Sequence, residues 1–371
     1  MQFTCPVSKL IEGLQIATKA LAARTPNPIL EGVLVETDED TVILTCSDER
    51  ITIVTRIAAT IAKHGRGVVP GKLFNEIIRR LPEGDVTVTM SDRFVFNIRS
   101  GATRMNISGQ DADLFPMLPK LDNVREISLP QNILKDMIQK TEFAIAAEDM
   151  REVLTGAYLE IANGDVSMVA LDGFRLALRK ARCPEAVEKL SAIIPGRAVG
   201  DIGKLLSDAE DAFAQLSFGG NKLHIGLEKT DIYVILVEGE YVNYRQILPK
   251  TFGTKVKLDL DQFKRCVDRA SLIAREGNNN LLLLKIAGGQ MMIEAHSQIG
   301  DVHEELEVEQ EGADMNIAFN VKYLTDVVRY IDAEQIEVNL NSPITPCIVT
   351  PASDKDYLHL VLPVRTTATA G

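Results

Sequence analysis

The sequence predicts an α+β chain of three similar domains, each with two helices packed on antiparallel sheets. Three observations carry this. First, one amphipathic helix recurs: Leu10, Leu14 and Leu21, then Ile133, Met137 and Ala144, then Phe263, Val267 and Ala274 share the same spacing. Second, Val69-Pro70-Gly71-Lys72, Ile194-Pro195-Gly196-Arg197 and Phe319-Asn320-Val321-Lys322 follow at an offset of 125 residues both times. Each opens a second helix, through Phe74/Ile77/Leu81, Val199/Ile202/Leu206 and Leu324/Val327/Ile331. Third, the text between helices alternates with period two, the signature of half-buried strands. Self-similarity at a fixed long period means that one supersecondary unit has been copied.

In the first third the strands are Val86–Met90, Phe94–Ile98 and Arg104–Ile107; in the second, Lys222–Ile225 and Ile232–Val237; in the third, Ile336–Leu340 and Tyr357–Leu362. Gly84-Asp85, Asn163-Gly164, Gly219-Gly220-Asn221 and Gly288-Gly289 read as hairpin tips, where positive φ is cheapest. Two similar endings, Phe115 to Lys120 and Tyr244 to Lys250, mark the joints and give domains 1–120, 126–249 and 254–371. The last residues, Thr366 to Gly371, have no apolar anchor and are expected to fray.

A chain of 371 residues with 46% hydrophobic and 25% charged residues has globular composition, enough to bury a core in each third without metals or disulfides. Five cysteines lie far apart with no C-x-x-C, so reduced thiols of a cytoplasmic protein are expected. The start, Met-Gln-Phe-Thr-Cys-Pro, is no signal peptide, and no run of about 18 apolar residues occurs. The expectation is a protein with no membrane partner.

The net charge of −12 conceals a segregation, because the six helices carry +7 and leave −19 for strands and loops. Lys72, Arg197 and Lys322 share one repeat position, and Arg79, Lys204 and Arg329 share another seven residues on. Seven residues is two turns, so each pair lies on one helix face about 10 Å apart. Cations fixed on one face by the repeat suit a rod-like polyanion held by its backbone and not read by sequence.

Reacting groups are scarce. His64, His224, His296, His303 and His359 are scattered, His303-Glu304-Glu305 lacks the second histidine of a zincin, and no phosphate-loop or complete G-x-G-x-x-G motif occurs. No catalytic residue, metal or cofactor is predicted. The competing reading is an α+β enzyme or scaffold whose triplication is purely structural.

Over essentially its whole length the chain resembles the bacterial DNA polymerase III β subunits, the sliding clamps. Beyond the triplication, the resemblance rests on Arg24-Thr25-Pro26-Asn27-Pro28-Ile29-Leu30, Val69 to Phe74, Thr155-Gly156, Leu171-Asp172-Gly173-Phe174-Arg175-Leu176, Tyr244 to Lys250 and Leu362-Pro363-Val364-Arg365. It implies clamp-type domains, head-to-tail dimerisation into a closed ring, helices lining the hole, and a non-catalytic processivity factor that slides on duplex DNA. It implies as partners a second copy of the chain, the replicative polymerase catalytic subunit, the clamp loader and other clients carrying short peptides.

The candidate DNA contacts are Arg24, Lys72, Arg79, Lys140, Arg197, Lys204, Arg269, Arg275, Lys322 and Arg329. The resemblance implies a dimer interface of Met105 and Ile107 against Leu272 and Ile273. It also implies a peptide pocket of Leu154, Leu171, Gly173, Phe174, Arg175, Leu176, Val242, Ile247, Asn320, Tyr323, Ile344, Pro346, Leu360, Leu362, Pro363, Val364 and Arg365. Among these, Arg175 and Arg365 are charges beside apolar residues and are expected to need a partner, which a peptide would supply. The chain departs from well-studied members at Arg151-Glu152-Val153, where they place paired aromatics, from some relatives at Phe174, where they carry histidine, and from many at Leu362, where they carry methionine.

Overall fold

A computed structural model describes residues 1–183, 189–277 and 280–366. Of the tail expected to fray, residues 367–371 lie outside the described residues. The helices are α1 (Val7–Ala17), α2 (Gly71–Ile78), α3 (Gln131–Gln139), α4 (Gly196–Gly203), the single turn α5 (Tyr244–Ile247), α6 (Leu260–Ala274) and α7 (Val321–Tyr330). None is long and apolar enough to cross a membrane.

The second helices α2, α4 and α7 begin at the same repeat position, each directly after a strand: Arg66–Pro70, Leu190–Pro195 and Met315–Asn320. Proline ends the first two strands, where its missing N–H costs the following helix nothing. In the third copy Asn320 replaces it, and its side chain accepts a hydrogen bond from the Lys322 N–H as a helix cap. Asp259 caps α6 similarly, accepting from the Gln262 N–H.

The first helices differ from the sequence reading in length. α1 and α3 stop early, and short 3₁₀ turns, Thr18–Ala20 and Glu142–Ala144, complete the apolar stripe, whereas α6 runs on for 15 residues. The residue at the break explains part of this. Thr18 Oγ1 donates to the Leu14 carbonyl at 2.6 Å and Thr141 Oγ1 to the Met137 carbonyl at 2.7 Å, a back-bonding that loosens a helix. Ser271 at the equivalent position of α6 bonds instead to Asp268 O. Gly84 is also not a hairpin tip: it turns the chain after α2 into the strand Asp85–Met90. Asn163-Gly164, Gly220 and Gly288-Gly289 do stand at hairpin tips with positive φ.

The chain forms two compact units, one of Met1–Asn132 with Lys204–Leu236 and one of Ile133–Gly203 with Val237–Gly371. In the first, an eight-stranded sheet runs across the sequence joint near residue 120, pairing Thr230–Ile235 antiparallel with Ile51–Ala58 in the register Ile232 to Ile53. Thr55 and Thr230 hydroxyls meet at 2.9 Å across that seam, and Arg56 reaches Asp231 at 2.7 Å. The same unit has a five-stranded sheet that ends on Thr103–Ser108.

In the second unit, a nine-stranded sheet runs across the joint near residue 250, pairing Arg175–Arg182 with Tyr357–Val361 so that Ala177 faces His359. Its companion is a four-stranded sheet that ends on Gly300–Glu307. α6 buries Leu260, Phe263, Val267, Ala270 and Ala274 and leaves Arg265 and Arg269 outside. Burying a side chain the size of Leu260, Phe263 or Val267 contributes about 1.5–3 kcal/mol. All five cysteines are buried thiols, and burial pushes Cys5 up to about 12.

Candidate nucleic-acid interface and apolar pocket

Lys72, Arg197, Lys322 and Arg329 lie within α2, α4 and α7, whereas Arg79 and Lys204, expected two turns along the same helix face, fall just past the helix ends at Ile78 and Gly203. Lys72, Arg79, Arg197, Lys204, Lys322 and Arg329 are all exposed. Lys72, Arg79, Lys322 and Arg329, together with Arg24 and Arg275, have no carboxylate partner among the described residues, so their charge is available to a ligand. In the second unit Arg275, Lys322 and Arg329 come together with Asn280, Thr325 and Asp326 around an open cleft of about 410 Å³.

The remaining candidates are engaged internally. Arg197 lies 3.9 Å from Asp201. Lys140 pairs with Asp136 at 2.7 Å and sits over the Tyr357 ring at 5.2 Å. Arg269 holds Glu304 with two bonds of 2.6 Å, which keeps that carboxyl below its usual range. Arg151 is exposed beside Asp149 at 3.4 Å.

Of the apolar set, Leu171, Gly173, Phe174, Arg175, Leu176, Ile247, Leu360 and Leu362 line one small pocket of about 60 Å³ in the second unit. The strand Asp165–Leu171 supplies one wall and Tyr357–Val361 another, and α5 presents Ile247. Joining Asp165–Leu171 to the next strand, Arg175–Arg182, Gly173 at φ +87° makes the tight turn that a side chain would strain. That turn leaves Phe174 56% exposed and stacked on Tyr323, ring centroids 5.8 Å apart, while Arg175 points inward. The Leu362 N–H donates to Phe174 O, and the Val364 N–H to Ala318 O, so Leu362 to Val364 are pinned beside the pocket. Leu154 and Val242 belong to the apolar cluster beneath it. Asn320 caps α7, Ile344 and Arg365 are exposed, and Pro346 and Pro363 are half-buried.

Arg175 finds its partners inside the protein. It is only 7% exposed; Nε bonds Asp172 at 3.0 Å, Nη1 bonds Asp326 and Nη2 donates to Phe143 O at 2.6 Å. Its guanidinium lies 4.9 Å from the Tyr323 ring centre and 5.5 Å from that of Phe143. Asp172 in turn accepts from the Phe174 and Arg175 N–H groups, fixing the Gly173 turn. The sequence reading had the arginine but not its partners Phe143, Asp172 and Asp326.

A parallel network lies beside it, where Arg179 joins Asp136 at 2.7 Å to Asp354 at 2.6 Å. His359 lies near both, 1% exposed, ringed by Tyr357 and Phe143, with neither ring nitrogen hydrogen-bonded. Burial, reinforced by the charges of Arg175 and Lys140, pushes His359 down to about 3.

The interface candidates lie at the sheet ends. Met105 is 39% exposed and Ile107 buried on the terminal strand Thr103–Ser108, while Leu272 is 66% exposed on α6 and Ile273 packs partly against the core. The other terminal strand, Gly300–Glu307, exposes Asp301, His303, Glu305 and Glu307.

Family models cover nearly the whole chain: the DNA polymerase III beta subunit N-terminal domain matches residues 1–119, the central domain 128–243 and the C-terminal domain 245–365. The beta sliding clamp of Staphylococcus aureus is 34% identical over 378 residues, covering 99% of this chain and all of that protein. The crystal structure of the Bacillus subtilis DNA polymerase sliding clamp is 30% identical with a TM-score of 0.94, covering 99% of each chain. That of the Pseudomonas aeruginosa sliding clamp bound to griselimycin is 25% identical with a TM-score of 0.94, covering 99% of this chain and all of that one. Matched by three family models over nearly its whole length and by a relative 34% identical from end to end, the chain belongs to the DNA polymerase III beta subunit family, the sliding clamps.

Proposed function

We infer that the protein is the processivity factor of a replicative DNA polymerase: a head-to-tail dimeric ring that encircles duplex DNA and tethers clients through the apolar pocket. The observation that carries this is the set of cations at repeat-equivalent positions, Lys72 on α2 with Arg79 at its end and Lys322 and Arg329 on α7, which have no carboxylate partner among the described residues, in a chain whose family is the sliding clamps. Lys and Arg contacts to phosphate bind without reading bases, and water-bridged contacts exchange readily, so the ring slides while topology retains it. The domains proposed are residues 1–120, 126–249 and 254–371, and the protein itself catalyses nothing.

Ring closure would join the terminal strand Thr103–Ser108 of one copy to the Gly300–Glu307 and α6 end of the other, with Met105 and Ile107 against Leu272 and Ile273. Strand pairing there would remove two open edges, each otherwise a template for aggregation. In such a pairing the exposed Arg104 of the first strand would meet the exposed Asp301, Glu305 and Glu307 of the second, a complementarity that favours it over self-association of like edges.

The pocket is proposed to take short client segments by an aliphatic and an aromatic anchor, with Phe174 and Tyr323 offering ring faces and Leu360, Leu362 and Ile247 the apolar wall. Griselimycin is a proposed ligand of this chain as well. Arg175 shapes the pocket from beneath, and Arg365, exposed at its edge, is the charge available to a bound segment. Solution mass and small-angle scattering test the assembly: a two-chain annular particle is expected, and a compact monomer would contradict the ring.

A further inference from the structure

The cleft of α7 and the apolar pocket share one residue-to-residue link. Asp326 lines the cleft, and its carboxylate bonds Arg175, which lines the pocket. From Arg175 the chain of bonds continues to Asp172 and so to the N–H of Phe174, whose carbonyl holds Leu362. A second strand of the same link runs through Phe143: its carbonyl accepts from Arg175, and its ring stacks on Tyr330 of α7 at 4.5 Å, 3° from parallel. The pocket turn is thus wired to the same cleft-lining face of α7 that presents Lys322 and Arg329.

Those two cations flank Asp326 along the helix, four residues before it and three after, the spacings at which side chains are neighbours. With the cleft empty, both attract the Asp326 carboxylate toward solvent, against the pull of Arg175. Phosphate seated on Lys322, Arg329 and Arg275 satisfies those cations and repels Asp326 from the cleft, leaving Arg175 as its one cationic partner. The Arg175 bond is then tighter, and with it the Asp172 turn that sets Phe174 and Leu362.

We propose that Asp326 is a positioning residue for the peptide pocket and that it couples the two sites, so that a clamp holding DNA binds client peptide more tightly than a free clamp. The coupling rests on the DNA and pocket reading above, and because binding free energies are reciprocal, peptide must strengthen DNA binding by the same factor.

The test titrates the full-length protein with a fluorescein-labelled hexapeptide carrying one leucine and one phenylalanine, with and without excess short duplex oligonucleotide at low salt. The parent protein should show a peptide Kd about fivefold lower with DNA, the low end of measured couplings, since the cleft is open to solvent. Asp326→Asn should weaken the peptide in the absence of DNA and abolish the DNA effect. A double variant, Lys322→Met with Arg329→Met, should bind peptide as the DNA-bound parent does and gain nothing from DNA; it keeps the question open to test even if Asp326→Asn folds poorly. A parent Kd that DNA leaves unchanged overturns the coupling alone. Failure of the parent to bind any peptide overturns the pocket reading and the coupling with it.

Discussion

The cleft beside α7 and the Arg175–Asp326 pair behind the pocket are built from the same residue types and do opposite things. Lys322 and Arg329 stand in solvent with no carboxylate partner among the described residues, while one turn away Arg175 and Asp326 meet largely out of solvent with every nitrogen of the guanidinium matched. An unpaired surface cation contributes almost nothing to folding and remains available for phosphate, whereas a buried, bonded arginine holds structure and has nothing left to offer a ligand. Burial, more than charge, separates the binding face from the scaffold.

The strongest way to break this contrast is Arg175→Ala. It strands Asp172 and Asp326 and frees the Phe143 carbonyl, so stability should fall by about 3–5 kcal/mol, the usual consequence of removing one partner of a buried pair. Denaturant unfolding reads the loss, and peptide binding should fail with it; a variant as stable as the parent would mean that Arg175 is not structural. Joint reversal of Lys72, Arg197 and Lys322 to glutamate should do the reverse, with thermal stability nearly unchanged. DNA affinity should drop roughly 100-fold or more at moderate salt, and the log–log salt slope should fall by about 3. Equal loss of stability and DNA binding would erase the distinction.

His359 sharpens the comparison from inside the scaffold. Its folded pKa, near 3, lies below the ordinary 6.5 of the unfolded chain, so the folded protein keeps it neutral while the unfolded chain gains a proton. Its share of stability is therefore complete above pH 6.5 and is lost as pH falls from there toward 3. His359→Leu should remove this part of the acid sensitivity, and relieving two unbonded buried nitrogens should raise stability at pH 7 by about 1–3 kcal/mol. Stability against pH for both proteins checks it. The smallest effect belongs to the exposed Lys9–Glu12 pair at 2.8 Å, where Lys9→Ala should change stability by less than about 0.5 kcal/mol.

These contrasts also mark how far the sequence could be read. The start of every second helix and the exposure of its cations followed from the 125-residue offset, because surface charge and helix period are local properties. The early ends of α1 and α3 did not, since an apolar stripe continues smoothly through a 3₁₀ turn and the threonine that loosens the helix is an ordinary residue in text. The continuity of the two large sheets was equally hidden: Thr55 and Thr230 meet across 175 residues, and nothing near either announces it. Within the pocket, Phe174, Leu362 and Ile247 were found through motifs of the family. Asp326 was not, because it looks like one more polar residue on a solvated helix until Arg175, 151 residues away, is placed beside it.

The central claim, retention by confinement and not by tight attachment, is tested most directly by loading the protein onto circular DNA, cutting the circle once and following what stays bound in high salt. Stable retention on the closed circle and prompt release once ends exist are expected. Protein that stays on linear DNA with open ends, or that leaves the intact circle as quickly, would contradict it.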